Sequence, residues 1–176
     1  RGEALASQLP RGVRLGTSSW SFPGWQGIVY DRAASENSLA RDGLAAYAAH
    51  PLFRTVGIDR TYYRPLTADQ FSAYAMAVPD DFRFLVKADR LLTSPIDPDG
   101  HGARQRNPRF LDAAYASDQV IGPMVEGMRG KVGVLLFQFP PIAPNLVGGR
   151  AAFLRRMQRF LTALPAGVLY AIELRT

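Results

Sequence analysis

The side chain with the widest chemical range in this sequence is Lys87, which ends the apolar stretch Phe-Arg-Phe-Leu-Val-Lys. Of the 21 basic residues, only Lys87 and Lys131 are lysine, and the others are arginine. A buried lysine can lose its proton and act as a base, form a Schiff base or bind phosphate, whereas arginine stays charged. Lys87 could equally form a structural ion pair with Glu173 or Asp59 inside a sheet. The sequence leaves both roles open.

Other polar residues lie near the ends of the segments that have strand patterns. Alternation of side chains across each strand places these residues on one side of the sheet. Parallel α/β proteins bind their ligands at the carboxyl ends of the strands. We therefore expect one pocket at that end, lined by Trp20, Asp59, Lys87, Gln138, Glu173 and Arg175.

The residue types in this expected pocket would suit an enzyme. Lys87 and Arg175 would hold an anionic group, and Gln138 would orient the substrate. Glu173 or Asp59 would serve as the general acid or base.

Aromatic residues follow the first two predicted strands, at Trp20, Phe22, Trp25, Tyr30, Tyr62 and Tyr63. Aromatic rings in such loops can stack on a sugar or a base. They can also cover the hydrophobic core, and the sequence does not choose between these two functions.

Composition and motifs exclude several classes of site. With no cysteine and two histidines, the chain has too few ligands for a multi-zinc centre. A magnesium site from Asp59 and Glu173 has no supporting motif, so no metal is predicted and the cofactor is unknown. The sequence lacks the phosphate loop ending in Gly-Lys-Ser/Thr, the Gly-x-Ser-x-Gly elbow and the dinucleotide glycine fingerprint.

Alternating strand and helix patterns must position the candidate residues. Strands are predicted at 13–20, 53–59, 82–88, 131–139 and 168–174. Helices are predicted at 39–50, 68–77, 108–129 with a break near Gly122-Pro123, and 150–164. This order predicts an α/β protein with a parallel sheet, either an open doubly wound sheet or the first five of the eight units of a barrel.

Local signals mark where these helices begin and where a long loop lies. Ser38 is a possible first cap, Thr67 and Gln70 have the form of a capping box, and Asn107 precedes a proline as a third cap. The segment 93–108 is rich in proline, glycine and aspartate, which predicts a loop that could close over the pocket.

Length and composition predict one α/β domain over residues 1–176. The lack of cysteine fits a reducing compartment and no run reaches about 18 apolar residues, so we expect a cytoplasmic protein without a membrane segment. The net charge of +6 permits binding to anions, although the arginines at 150–159 fit an exposed helix face. The start at Arg1 and the end at Thr176 suggest part of a longer protein.

Five stretches together resemble the domain of unknown function 72 (YecE-like) family. They are GTSSWSFPGWQGIVY, TVGIDRTYYR, FRFLVKADRLLT, VGVLLFQFPP and AIELR, in the order and spacing of that family. The resemblance covers nearly the whole chain and implies a TIM-barrel-like fold. This chain would be the N-terminal part, an incomplete barrel of about five β/α units with open edges at the first and fifth strands.

The resemblance also implies a set of site positions, although the family has no established activity. These positions are Trp20, Trp25, Thr61, Tyr63, Arg64, Lys87, Gln138, Pro140, Glu173 and Arg175. Trp25, Tyr63 and Arg64 thereby join the expected substrate-binding residues. Gly57 and Asp59 stand where the family often has Glu and Asn, and Thr93-Ser94 where it often has a histidine. If that Asn or His takes part in the chemistry of the family, this chain would have an altered substrate or no activity.

Three functions are compatible with these features. The first is an enzyme, a hydrolase or lyase in the simplest case, that binds an anionic or hydroxylated small molecule. The second is a protein that acts on phosphodiesters or nucleic acid, as the basic charge suggests. The third is a non-catalytic ligand-binding module. The sequence names neither the substrate nor the oligomeric state.

Overall fold

The computed structural model describes residues 2–10, 12–100 and 105–175. The strands within these ranges are β1 Leu15–Thr17, β2 Phe53–Ile58, β3 Arg83–Lys87, β4 Val132–Phe139 and β5 Tyr170–Leu174. The helices are α1 Gly2–Ala6, α2 Glu36–Asp42, α3 Leu44–Ala49, α4 Ala68–Met76, α5 Arg90–Thr93, α6 Ala113–Tyr115, α7 Gly122–Met128 and α8 Arg150–Ala163. Short 3₁₀ turns lie at Pro23–Trp25, Arg60–Tyr62 and Pro144–Val147.

The five strands form one parallel sheet in the order β1-β2-β3-β4-β5. Each strand pairs with the next one along the chain, with Gly57 opposite Leu85 and Gln138 opposite Glu173. A doubly wound sheet reverses its strand order at a switch point, whereas a barrel keeps neighbours in sequence. The fold is therefore an open α/β sheet of the incomplete TIM-barrel type.

The two faces of the sheet differ in composition because side chains alternate along each strand. On the face towards the helices, Val56, Phe84, Val86 and Phe137 are at most 1% exposed and belong to the hydrophobic core. The opposite, inner face carries small and polar residues such as Gly57 and Lys87, and no helix of the described chain covers it. The inner face is thus free to form a site.

The sheet ends in two unpaired edges within the described residues, as the resemblance implied. β1 is three residues long, shorter than the predicted strand at 13–20, and Leu15 is 41% exposed. On β5, Leu174 is 57% exposed and Ile172 is 39% exposed. Parallel strands at an edge leave a row of backbone groups without ladder partners.

The start of the first predicted helix was wrong. Ser35, not Ser38, is the N-cap, because its side chain accepts a hydrogen bond from the Ser38 backbone N–H. The predicted helix at 39–50 is also two helices, α2 and α3, which meet at Gly43. A Cβ at Gly43 would lie 2.7 Å from the Leu39 carbonyl oxygen, so only glycine fits this junction. The capping box of Thr67 and Gln70 is confirmed at the start of α4.

The structure differs from the prediction for the third helix in two places, at its start and near Pro123. Asp112 is the N-cap, and its side chain accepts from the Tyr115 N–H. Asn107, the predicted cap, instead donates to the Leu91 and Ser94 carbonyls at 2.7 and 2.8 Å. The break expected at Gly122-Pro123 does not occur. A π-helical segment, Ala116–Ile121, precedes the proline, and its wider turn accommodates a residue without an N–H.

Lys131 has a structural role at the end of α4. Its ammonium donates to the carbonyls of Ala75 at 2.9 Å and Val78 at 2.8 Å, and it lies 3.2 Å from an Asp80 carboxylate oxygen. Ala75 lies in the last turn of α4 and Val78 just after its C-cap, so the lysine binds carbonyls at and just beyond the helix C-terminus. No helix of the described residues is long and apolar enough to cross a membrane.

Candidate functional site

A cleft of about 360 Å³ lies on the inner face of the sheet, towards the carboxyl ends of the strands. Every strand contributes to it, either directly or through the residues that follow the strand. The lining residues are Gly16, Thr17, Ser18, Thr55, Val56, Gly57, Asp59, Leu85, Lys87, Leu136, Gln138 and Glu173. This is the end of the sheet at which parallel α/β proteins bind ligands.

The first polar pair of the cleft joins Lys87 to Asp59. Lys87 is the last residue of β3, and Asp59 follows β2 where the 3₁₀ turn begins. The lysine Nζ lies 3.1 Å from Asp59 Oδ1, and the two side chains are 19% and 43% exposed. Asp59, rather than Glu173, is therefore the ion-pair partner of Lys87. The ammonium has three donors, so it can bind a ligand oxygen as well.

The second polar group is centred on Glu173 of β5. Gln138 Nε2 donates to Glu173 Oε2 at 2.8 Å, and Arg175 Nε donates to Glu173 Oε1 at 3.0 Å. These hydrogen bonds, first from Gln138 and then from Arg175, lower the pKa of the Glu173 carboxyl below its ordinary value. Glu173 is thus a carboxylate at neutral pH, with both oxygens engaged.

The charges of these groups balance. Two cations, Lys87 and Arg175, accompany two carboxylates, Asp59 and Glu173. The carboxamide of Gln138 adds one donor group and one acceptor without charge. The cleft therefore offers alternating donors and acceptors rather than a strongly positive surface.

Glycine shapes the wall of the cleft where β1 meets β2. A Cβ at Gly57 would lie 2.6 Å from the Ser18 carbonyl oxygen, and a Cβ at Gly16 would lie 1.9 Å from the Thr55 carbonyl oxygen. Backbones approach this closely only when the side chain is absent. The close approach brings the Ser18 and Thr55 residues to the rim of the cleft.

Four of the predicted site residues, Asp59, Lys87, Gln138 and Glu173, line this cleft together. Arg175 is bound to Glu173 but lines a neighbouring apolar depression of about 230 Å³. Pro140 lines that same depression, beyond the end of β4.

Trp20 does not lie at the cleft, so the prediction of its face was wrong. Its ring is 6% exposed, packs edge-on against Tyr74 at 5.3 Å, and donates from Nε1 to the Leu39 carbonyl at 3.1 Å. The reason is that β1 ends at Thr17, so strand alternation no longer applies at position 20. Trp20 therefore covers the hydrophobic core, which is one of the two functions that the sequence left open for the loop aromatics.

The positions at 61–64 also lie away from the cleft lining. Thr61 is buried and donates its hydroxyl to the Ile58 carbonyl at 2.7 Å, which supports the turn after β2. Tyr63 is 66% exposed, and the Arg90 guanidinium lies 5.7 Å from the centre of its ring. Arg64 is exposed as well. Trp25 lies beside the cleft, in a separate depression described below.

Sequence reasoning missed the hydroxyl side of the cleft. Thr17, Ser18 and Thr55 line it, although none of them was predicted. The signal that could have found the first two is the run Gly-Thr-Ser-Ser at the end of the first strand, where ligands bind. No group of three or more potential metal ligands occurs among the described residues.

The base of the long loop is held in place next to α5. Asn107 is 5% exposed and binds the carbonyls of Leu91 and Ser94, and Ile96 forms an antiparallel bridge with Arg106. Residues 101–104 of this loop lie outside the described residues. Its role as a lid stays a prediction.

Comparison with known families identifies the chain. The family described as "Protein of unknown function DUF72" matches residues 14–176. The chain belongs to the DUF72 family. The family resemblance derived from the five sequence stretches is thereby confirmed.

Two solved DUF72 structures resemble this chain. A DUF72 family protein from Enterococcus faecalis V583 is 23% identical with a TM-score of 0.55, and the match covers 92% of this chain and 50% of that one. A DUF72 family protein from Thermotoga maritima MSB8 is 24% identical with a TM-score of 0.54, covering 92% of this chain and 55% of that one. The chain therefore spans about half the length of these structures, and the likeness shows a shared fold. No curated protein matches the chain.

Proposed function

We propose that this DUF72 protein binds an anionic or hydroxylated small molecule in the cleft and acts on it as a hydrolase or lyase. The observation that carries this proposal is the convergence of Asp59, Lys87, Gln138 and Glu173 in one cleft. They come from four successive strand ends and form two hydrogen-bonded or ion-paired groups. A pocket with a few convergent polar groups is the usual form of a small-molecule site.

The roles of these residues follow from their surroundings. Lys87 would bind a ligand oxygen, because one of its partners is already the neighbouring Asp59 carboxylate. Asp59 is 43% exposed, so its carboxylate is accessible to accept or return a proton. The lowered pKa of Glu173 makes it a poor general acid at neutral pH, so it would orient the ligand and stabilise positive charge.

The competing functions have weaker support. A non-catalytic binding module fits the fact that both Glu173 oxygens are already bound within the protein. Action on phosphodiesters or nucleic acid would be supported by Arg155 and Arg159, which lie together on the surface of α8. That surface lies on a helix and contributes nothing to the cleft lining, so the cleft itself favours a small molecule. The cytoplasmic location stays a prediction.

The test is a screen for small molecules retained by the full chain, read by native mass spectrometry and repeated with Lys87→Met. Arg41→Met is the matched control, since it removes a cation whose side chain is 73% exposed and remote from the cleft lining. We expect a retained ligand in the wild type and control that is lost in Lys87→Met. Retention by all three proteins would refute the assignment of the cleft.

A screen with single-stranded DNA separates the nucleic-acid alternative. Binding through phosphate contacts falls steeply as salt increases. If DNA binds with such a salt dependence and Lys87→Met weakens the binding, the cleft itself binds nucleic acid and the small-molecule proposal is contradicted.

A further inference from the structure

A second depression, which we call the aromatic subsite, adjoins the cleft. Its volume is about 370 Å³, similar to that of the cleft, and its lining residues are Thr17, Ser18, Ser19, Ser21, Phe22, Trp25 and Glu36. Thr17 and Ser18 line both depressions, so the two are adjacent. Ligand sites commonly span roughly 300–1,000 Å³, so the two together remain within the range of one binding site.

Two aromatic rings, Phe22 and Trp25, form one wall of the aromatic subsite. Phe22 and Trp25 meet edge to face at 5.5 Å, and the other neighbours of Trp25 are Tyr47 at 6.0 Å and Phe53 at 6.4 Å. Phe22 itself is 56% exposed, although it lies over the Gly24 backbone. An exposed aromatic ring that is held by its neighbours provides apolar contact at little cost in conformational entropy.

The remaining lining residues are hydroxyl groups and one carboxylate. The Ser19 and Ser21 hydroxyls lie 3.0 Å apart, and the Thr17 hydroxyl donates to the Ser19 carbonyl at 2.7 Å. These bonds fix the hydroxyl oxygens, which keep lone pairs for a ligand. Glu36 is exposed at the start of α2 and can accept two hydrogen bonds from adjacent ligand hydroxyls.

These groups select for a particular chemistry. The lining of the aromatic subsite contains a carboxylate and no lysine or arginine, which disfavours phosphate and other anions. The lining of the adjoining cleft carries one cation, Lys87, and two carboxylates, Asp59 and Glu173, so it does not favour anions either. Apolar ring contact beside several donors and acceptors suits the C–H face and hydroxyls of a neutral sugar ring.

We infer that the ligand is a neutral glycan of at least two sugar units, one in the cleft and the next against Phe22 and Trp25. This inference rests on the proposed function, because it assigns the first unit to the proposed cleft. It adds a site and a ligand class to that proposal. Thr17 and Ser18 would contact the linkage, since they line both depressions.

The test is isothermal titration of the full chain with glucose, maltose and cellobiose, and with adenosine and inorganic phosphate as competing chemistries. We expect at least one disaccharide to bind ten-fold or more tightly than glucose. Phe22→Ala, and separately Glu36→Gln, should reduce this preference to two-fold or less. Ile28→Ala is the matched control, because Ile28 is 69% exposed on the same loop and is not part of either lining. The control should keep the preference.

The outcomes separate the two proposals. If Lys87→Met weakens all binding, but glucose binds as tightly as the disaccharides or the Phe22→Ala variant keeps the preference, the aromatic subsite is wrong and the cleft stands. If adenosine or phosphate binds and no sugar does, the glycan class is wrong. If no probe binds, or if Lys87→Met changes none of the affinities, the glycan inference and the assignment of Lys87 both fail. Circular dichroism of each variant confirms that the fold is intact.

Discussion

The two lysines of the chain should differ in how much they contribute to the stability of the fold. Replacing each of them with methionine tests this difference. Lys131 is 13% exposed and donates to two carbonyls at the end of α4. A hydrogen bond to a charged group contributes about 1.5–3 kcal/mol, and part of it is recovered when water reaches the freed carbonyls. The exposed Asp80 adds little. We expect Lys131→Met to lower the free energy of unfolding by about 2–4 kcal/mol.

Lys87→Met should cost much less stability. Its partner Asp59 is 43% exposed, so water can solvate the carboxylate once the ammonium is gone. Exposed or half-exposed ion pairs contribute about 0–1 kcal/mol, and methionine retains most of the apolar stem. The loss should therefore stay near 1 kcal/mol, whereas the loss of ligand binding should be large.

The measurement is urea unfolding at constant pH, followed by circular dichroism and tryptophan fluorescence. Thermal unfolding provides a second measurement. For a chain of this size, 1 kcal/mol corresponds to about 2–4 °C in Tm, so the Tm of Lys131→Met should lie at least about 4 °C below that of the wild type. Equal losses for the two variants would refute the reasoning, since Lys87 would then be a structural residue. A loss below about 0.5 kcal/mol for Lys131→Met would show that its helix cap is replaced by water.

Three further predictions concern the site and its supports. The pKa of the Glu173 carboxyl is lowered in the fold, so the stability linked to this group is present above its unfolded pKa and is lost as pH falls through its folded pKa. Gln138→Leu removes the main cause and should raise the folded pKa of Glu173. NMR titration of the carboxyl measures this change. Gly57→Ala should cost about 1–3 kcal/mol and narrow the cleft, whereas Gly12→Ala, in open space, should be neutral in urea unfolding. Asn107→Ala removes three hydrogen bonds to the backbone and should speed proteolysis within the long loop, and an unchanged cleavage rate would contradict this.

Much of the cleft could be predicted from the sequence because strand alternation is a local property. Lys87, Gln138 and Glu173 all belong to regular strands, near their carboxyl ends, so the alternation of side chains predicted that they share the inner face. Which residues pair across strands could not be predicted. The choice of Asp59 rather than Glu173 as the partner of Lys87 depends on strand register and on the turn after β2, which are set by tertiary packing.

The errors occurred where a local pattern ended earlier than it seemed to, or where packing replaced it. Trp20 was assigned to the cleft because the strand pattern ran to position 20, but β1 stops at Thr17. The helical pattern is interrupted at Gly43, where a Cβ would lie 2.7 Å from the Leu39 carbonyl oxygen of α2. At Pro123 the opposite occurred, since a π-helical turn let the helix continue past a residue that normally breaks it.

The sequential order of the strands has a consequence for how the protein is made. Because each strand hydrogen-bonds to its predecessor, a newly synthesised β/α unit finds its docking surface already present. Each pairing among the described strands therefore closes the crossover of one β/α unit, and the entropy of that closure rises only slowly with the length of the crossover. Among the described residues β3 pairs with both β2 and β4, so a defect in β3 disturbs two pairings at once.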